Sequence, residues 1–224
     1  MKRVCVFDVN ETLLDLAALD APFRAAFGDP AARQEWFAQL LQSSFVSIVT
    51  DRYSDFAAIG GAALAMVAER RGVRLDDAQR SAILGTVRRL PAHPDVRPGL
   101  ERLRDAGFRL ATLTNSPPQV VEAQLESAGL RDLFERALSA DAVRRLKPAP
   151  EPYRMAAETL GVPIDGIRLV AAHAWDIAGA LRAGAAAAFV ARGGRPLDPL
   201  VERPDIVGRD IGEVADAIIT VERA

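Results

Sequence analysis

Cysteine occurs once in these 224 residues, at Cys5, so neither an intrachain disulfide nor a cysteine-built metal centre is available. Its place in an apolar run makes it a core thiol rather than a nucleophile. An excess of one charge is also missing. A formal net charge of −2 leaves no basic footprint for nucleic acid. Long apolar runs are absent too. The longest, around Leu169–Ala174 and Ala185–Ala191, fall far short of the roughly 20 residues of a membrane span. No signal-peptide pattern precedes the first strand, and no repeat or low-complexity tract interrupts the chain. These absences point to a cytoplasmic protein without nucleic-acid or membrane partners. With 50% apolar and 26% charged residues, the composition is globular, enough for one large or two small cores.

The most informative stretch that is present runs from Val4 to Leu14. An apolar run, Val4 to Phe7, leads straight into Asp8, then a short polar loop, then apolar residues again. Such a run reads as a strand buried on both faces, as in parallel sheets. Ligands of open α/β sheets sit beyond the carboxyl ends of such strands, which makes Asp8 the best candidate for the reacting group.

Residues 16–95 read as a helical block without a convincing strand. Trp36, Phe37, Leu40, Leu41, Ser44, Phe45 and Ile48 keep an apolar stripe at helical spacing, and Ala57–Arg70 and Asp76–Arg89 predict two more helices. Leu90-Pro91-Ala92-His93-Pro94 then suggests a hinge. Beyond it, strands are predicted over Phe108–Thr114, Ala137–Ser139, Ile167–Ala172, Ala186–Ala191 and Ile206–Gly208. Helices are predicted over Pro117–Ala128, Glu151–Leu160, Trp175–Ala183 and Ile211–Val221. This alternation implies an α/β fold, a Rossmann-like, doubly wound parallel sheet. Residues 1–15 and 96–224 would form the core, with 16–95 inserted after strand one and hanging over the sheet's carboxyl edge.

Three further signals fall near predicted strand ends. Thr114, Asn115 and Ser116 close a strand and open a helix at proline, a ready anion site or a simple cap. Lys147 precedes a proline-stiffened turn; a lone lysine is ordinarily solvated. His173, Trp175 and Asp176 follow an apolar strand; a lone histidine is ordinarily structural. Carboxylate, hydroxyl and amide, lysine, then His and Asp make a constellation that chance rarely gives.

In this order of motifs the chain resembles the haloacid dehalogenase superfamily, over nearly its whole length from Phe7 to about Gly184. The likeness is closest to the hydrolytic (S)-2-haloacid dehalogenases, through Trp36, Arg52-Tyr53, Phe56, Asn115, Lys147-Pro148, Tyr153 and Ala174-Trp175-Asp176. Lys147 to Tyr153 and Lys147 to Asp176 both have the family spacing. The resemblance implies a Rossmann-like core with a helical cap, no cofactor, a small-molecule 2-haloacid as partner and, by family habit, a homodimer through the cap. Asp8 would be the nucleophile, kept ionised by Lys147, with Asp176 pairing Lys147. Asn10, Thr12, Phe37, Leu41, Phe56, Thr114, Asn115, Tyr153 and Trp175 would meet the substrate, its carboxylate held by Thr114 and the N–H groups near Ser116.

Departures from the pattern carry information. The superfamily's phosphatases have a second Asp two residues after the nucleophile, as general acid, and they bind Mg²⁺. Here that position is Asn10, which cannot exchange a proton as a carboxyl does, and Asp8 with Asp176 is a thin ligand set for a hard cation. A departing halide needs no proton. Many of the dehalogenases have glycine at the place of Glu11 and asparagine at that of His173, so the paired change resembles the Glu–His dyad proposed for some members. His173 would take a proton from water while Glu11 orients it. Phe37 stands where the family has a halide-binding arginine, and Arg33, one turn earlier, is not given that role. Ala171 replaces a family serine. Two alternatives remain: a Mg²⁺-dependent phosphatase on the same scaffold, and a non-catalytic binding protein that retained the fold.

Overall fold

The computed structural model describes residues 2–222. Six strands form one parallel sheet: β1 (Val4–Phe7), β2 (Leu110–Thr114), β3 (Arg136–Ser139), β4 (Ile167–Ala171), β5 (Ala186–Val190) and β6 (Ile206–Gly208), in the order β3-β2-β1-β4-β5-β6. Cys5 lies beside Leu110 on one side and Arg168 on the other. The strands β1, β2 and β4 are buried throughout, because helices cover both faces. The order reverses at β1: the chain builds outward through β2 and β3, then returns to β1's other side as β4. Such a switch point opens a crevice at the carboxyl end of the strand where Asp8 stands.

Helices α5 (Val96–Asp105), α6 (Pro118–Ser127) and α9 (Ile211–Val221) cover one face of the sheet, through Leu100, Leu103, Val121, Leu125, Ile211 and Val214. Helices α7 (Pro150–Leu160) and α8 (Ala174–Ala183) cover the other, through Tyr153, Ala156, Ile177 and Ala180. The sequence reading omitted α5, whose pattern is broken by Pro98-Gly99. Gly99 is there for close approach: a Cβ at this position would sit 2.7 Å from the Ile211 side chain of α9. The predicted start of β2 at Phe108 is two residues early. Gly107, with φ +81°, turns the chain out of α5, and the Phe108 N–H closes that turn on the Leu103 carbonyl.

Between β1 and α5 lie α1 (Asp20–Phe27), α2 (Ala32–Val49), α3 (Phe56–Arg70) and α4 (Asp77–Thr86). The helix predicted over Asp76–Arg89 is α4 followed by a short 3-10 turn, Val87–Arg89. Its start is set by a capping box, in which Asp76 and Gln79 bond each other's backbone N–H. The Trp36 indole N–H donates to the Gly60 carbonyl at 2.9 Å and ties α2 to α3. The two connections to the sheet are paired, with Asp15 N–H on the Pro91 carbonyl (2.8 Å) and His93 N–H on the Leu13 carbonyl (3.0 Å).

Candidate active site

Asp8 leaves β1 into the crevice only 5% exposed, and its two oxygens face different partners. Oδ1 accepts from Lys147 Nζ at 3.0 Å. Oδ2 accepts from the Thr12 hydroxyl at 2.6 Å and lies 3.3 Å from His173 Nδ1. Thr12 is locked in turn, since its oxygen accepts the Ala172 N–H at 2.9 Å.

Lys147 arrives eight residues past the end of β3, on a loop held by the Asn115 amide. Asn115 Oδ1 accepts the Lys147 N–H at 2.8 Å, and its Nδ2 donates to the Lys147 carbonyl at 3.2 Å. The ammonium is wholly buried and uses all three protons: on Asp8, on the Leu113 carbonyl (2.8 Å) and on Asp176 Oδ2 (2.7 Å). The other oxygen of Asp176 accepts from the Tyr153 hydroxyl.

On the solvent side, His173 Nε2 lies 3.0 Å from Glu11 Oε2. Arg195 forks onto both Glu11 oxygens at 2.8 and 2.7 Å. Glu11 adopts φ +63°, a left-handed backbone that costs a non-glycine residue about 1 kcal/mol or more. Its side chain is held on both flanks, which offsets that strain.

Burial would push the Asp8 carboxyl up, but Lys147, with the bonds from His173 and Thr12, holds it well below the usual carboxylate range. Burial pushes Asp176 up and the neighbouring Asp8 charge adds to this against the pull of Lys147, so Asp8 is the readier of the two to stay ionised. Burial also works against charge on His173, yet the bonds to Asp8 and Glu11 outweigh it and raise the imidazole to about 9. Glu11 is depressed to about 2, burial being overcome by Arg195 and His173. Taking a proton from water, the part expected of His173 from the sequence, requires a neutral imidazole. Between two carboxylates the imidazole is instead favoured in its charged form at neutral pH.

Above Asp8 lies a cavity of about 10 Å³, which is room for about one water. It brings together Asp8, Asn10, Phe37, Leu41, Phe56, Thr114, Asn115, Lys147, His173 and Trp175. Two residues expected to meet substrate do not line it. Thr12 has its hydroxyl between Asp8 and Ala172, and Tyr153 is fully buried beneath Asp176; both hold other site residues in place. The Ser116 N–H, expected to receive a carboxylate, donates instead to Thr114 Oγ1 at 3.1 Å. Arg33 is ion-paired with Asp20 and lines an outer cleft rather than this cavity.

Sequence reasoning missed Arg195 and Gln124. Gln124 donates at 2.9 Å to Asn10 Oδ1, while Asn10 Nδ2 donates to Ser116 Oγ at 3.2 Å, so the Asn10 amide is tied on both sides. Arg195 gave no signal, standing in a loop with no pattern; for Gln124 the only hint was a buried helix position. The donor set does not fit Mg²⁺. The Lys147 ammonium bridges the two candidate ligands Asp8 and Asp176, and the Asn10 oxygen is occupied. Among the described residues no group of three or more His, Cys, Asp or Glu side chains is arranged to hold a metal.

Residues 2–184 match the family model described as haloacid dehalogenase-like hydrolase. The chain is 30% identical to the (S)-2-haloacid dehalogenase of Pseudomonas sp. (strain YL), over 89% of this chain and 87% of that one. It is 32% identical to the (S)-2-haloacid dehalogenase of Xanthobacter autotrophicus, over 86% of this chain and 76% of that one. The solved structure of the Xanthobacter autotrophicus L-2-haloacid dehalogenase with chloropropionic acid covalently bound superposes with a TM-score of 0.88 at 28% identity, covering 97% of this chain and 98% of that one.

Proposed function

Since this chain belongs to the haloacid dehalogenase-like hydrolases, we propose that it converts short 2-haloalkanoic acids to 2-hydroxy acids through an ester on Asp8. The carboxylate attacks C-2 from behind, a C–O bond forms, and the halide leaves with the bonding pair of the C–X bond. No proton is needed, so Asn10 serves where a phosphatase needs an acid. Lys147 keeps Asp8 ionised for the attack, and the scheme draws on no metal or organic cofactor.

Esterification removes the negative charge of Asp8 that His173 faces. With only Glu11 left, and that carboxylate shared with Arg195, the imidazolium gives up its Nδ1 proton to solvent, the one proton that the overall hydrolysis releases. Nε2–H stays on Glu11 and fixes the tautomer. Nδ1 then takes a proton from a water attacking the Asp8 carbonyl carbon. Cleavage of the acyl C–O bond expels an alkoxide that takes this proton and leaves as the 2-hydroxy acid. The proton remaining on the Asp8 carboxyl passes to Nδ1, restoring the starting ion pair. Residues 16–95 would act as the cap that admits this single water and excludes the rest. The observation that carries this reading is the His173 ring spanning nucleophile and Glu11, 3.3 Å from one and 3.0 Å from the other.

The test is multiple turnover on 2-chloropropionate in ¹⁸O-water with EDTA present. Solvent oxygen should enter the Asp8 side chain while halide release continues. An Asp8 without label after many turnovers sinks the ester mechanism, and phosphate release abolished by the chelator would favour the phosphatase instead.

A further inference from the structure

Beside the small cavity over Asp8 lies a larger one of about 150 Å³. Its wall is Trp36 and Leu40 of α2, Gly60 of α3, Leu84 of α4, and Val87 and Val120 nearer the sheet. Close-packed interiors rarely leave such a space, because its lining forfeits dispersion contacts. A volume of about 150 Å³ is known to take a benzene molecule, and most of this lining is aliphatic or aromatic, with Asn10, Ser116 and Arg88 the polar exceptions.

The partition between the two spaces is thin. Asn10, Phe37 and Phe56 line both. The Phe37 ring centre is 6.1 Å from that of His173 on one side and 6.3 Å from that of Trp36 on the other. Asn10 is a fixed part of the wall, bonded to Ser116 and Gln124. Phe37 is only partly buried and has no polar tether, so its ring is the part that can turn aside.

We propose that the larger cavity receives the apolar substituent on C-2 of the acid, and that the enzyme favours 2-haloacids bearing an aryl or branched alkyl tail over haloacetates. The assignment rests on the dehalogenation proposed above and names which members of that substrate class fit. The reacting carbon and carboxylate stay over Asp8, while a tail of one-ring size passes Phe37 into the space bounded by Trp36 and Leu84.

The experiment is halide release, with EDTA present, from bromoacetate, 2-bromopropionate, 2-bromohexanoate and 2-bromo-3-phenylpropionate, each chiral acid as both enantiomers. Specificity, kcat/KM, should rise along this ladder for one enantiomer, by about four-fold for each methylene newly buried. Filling the space with Leu84→Phe or, separately, Val120→Phe should lower the ratio of phenylpropionate to bromoacetate specificity by at least about ten-fold, with thermal melting showing each variant folded. A ladder that is flat or falls with tail size overturns the assignment, as do filled variants that leave the ratio unmoved. The ladder alone decides should both variants fail to fold. If bromoacetate releases halide and the tailed acids do not, only this inference falls; if no acid releases halide, the dehalogenation reading falls with it.

Discussion

Two cations flank Asp8, each bridging it to a second carboxylate, and they differ in what surrounds them. The inner one, Lys147 toward Asp176, is sealed: both side chains are wholly buried and every ammonium proton has a fixed partner. The outer one, His173 toward Glu11, ends at Arg195, whose side chain is 50% exposed. A buried ammonium with three bonds keeps its charge through a reaction cycle. An imidazole facing a carboxylate that is consumed does not. On the dehalogenation reading proposed above, the difference divides the labour: the inner bridge maintains the nucleophile, and the outer bridge changes charge when the nucleophile is used.

The comparison breaks most severely at Lys147. Lys147→Met leaves Asp8 and Asp176 buried without their shared cation, a loss of about 3–5 kcal/mol for such a broken pair. Thermal melting should show this, and the stoichiometric halide burst should disappear at neutral pH. His173→Asn should spare that burst but slow ester hydrolysis by roughly 10²–10⁴-fold, the usual worth of a general base. Intact-protein mass would then show the substrate moiety retained on Asp8; full turnover by this variant removes His173 as the base.

His173 is raised to about 9 when Asp8 is free, so its contribution to stability is fully present below its ordinary value near 6.5. That contribution is lost as pH rises through about 9, a loss that the melting curve of His173→Asn should lack. In the ester the imidazole faces one charge fewer, so single-turnover hydrolysis should rise with pH along a limb centred below about 9, while the halide burst stays flat. The smallest effect is expected from Arg195→Ala. A half-exposed ion pair is worth about 1 kcal/mol or less, and removing it lets Glu11 hold the imidazolium more tightly. The hydrolysis limb should move upward by a fraction of a pH unit, with partial recovery in Arg195→Lys.

Much of this architecture was legible in the sequence because it lies in runs. The buried strand before Asp8, the apolar stripe of α2 and the strand–helix alternation after β2 follow from periodicity alone. The order of chemistry-bearing residues then placed Asp8, Lys147, His173 and Asp176 near one another, and the structure shows the contacts. What escaped was what periodicity does not encode. Arg195 reaches Glu11 across 184 positions from a patternless loop, and Thr12 and Tyr153 face their neighbours rather than the cavity. The charge of His173 escaped as well, since it depends on two carboxylates arriving from the same loop at different distances.

The left-handed backbone at Glu11 bears on any attempt to graft the outer pair onto a scaffold with glycine and asparagine at these places. Glycine relaxes there without penalty, whereas a carboxylate-bearing residue must be pinned against its own conformational preference. Installing Glu and His alone would leave the strained residue held on one flank only, by the imidazole. An arginine from a distant surface segment adds the second flank and tunes the pair rather than creating it.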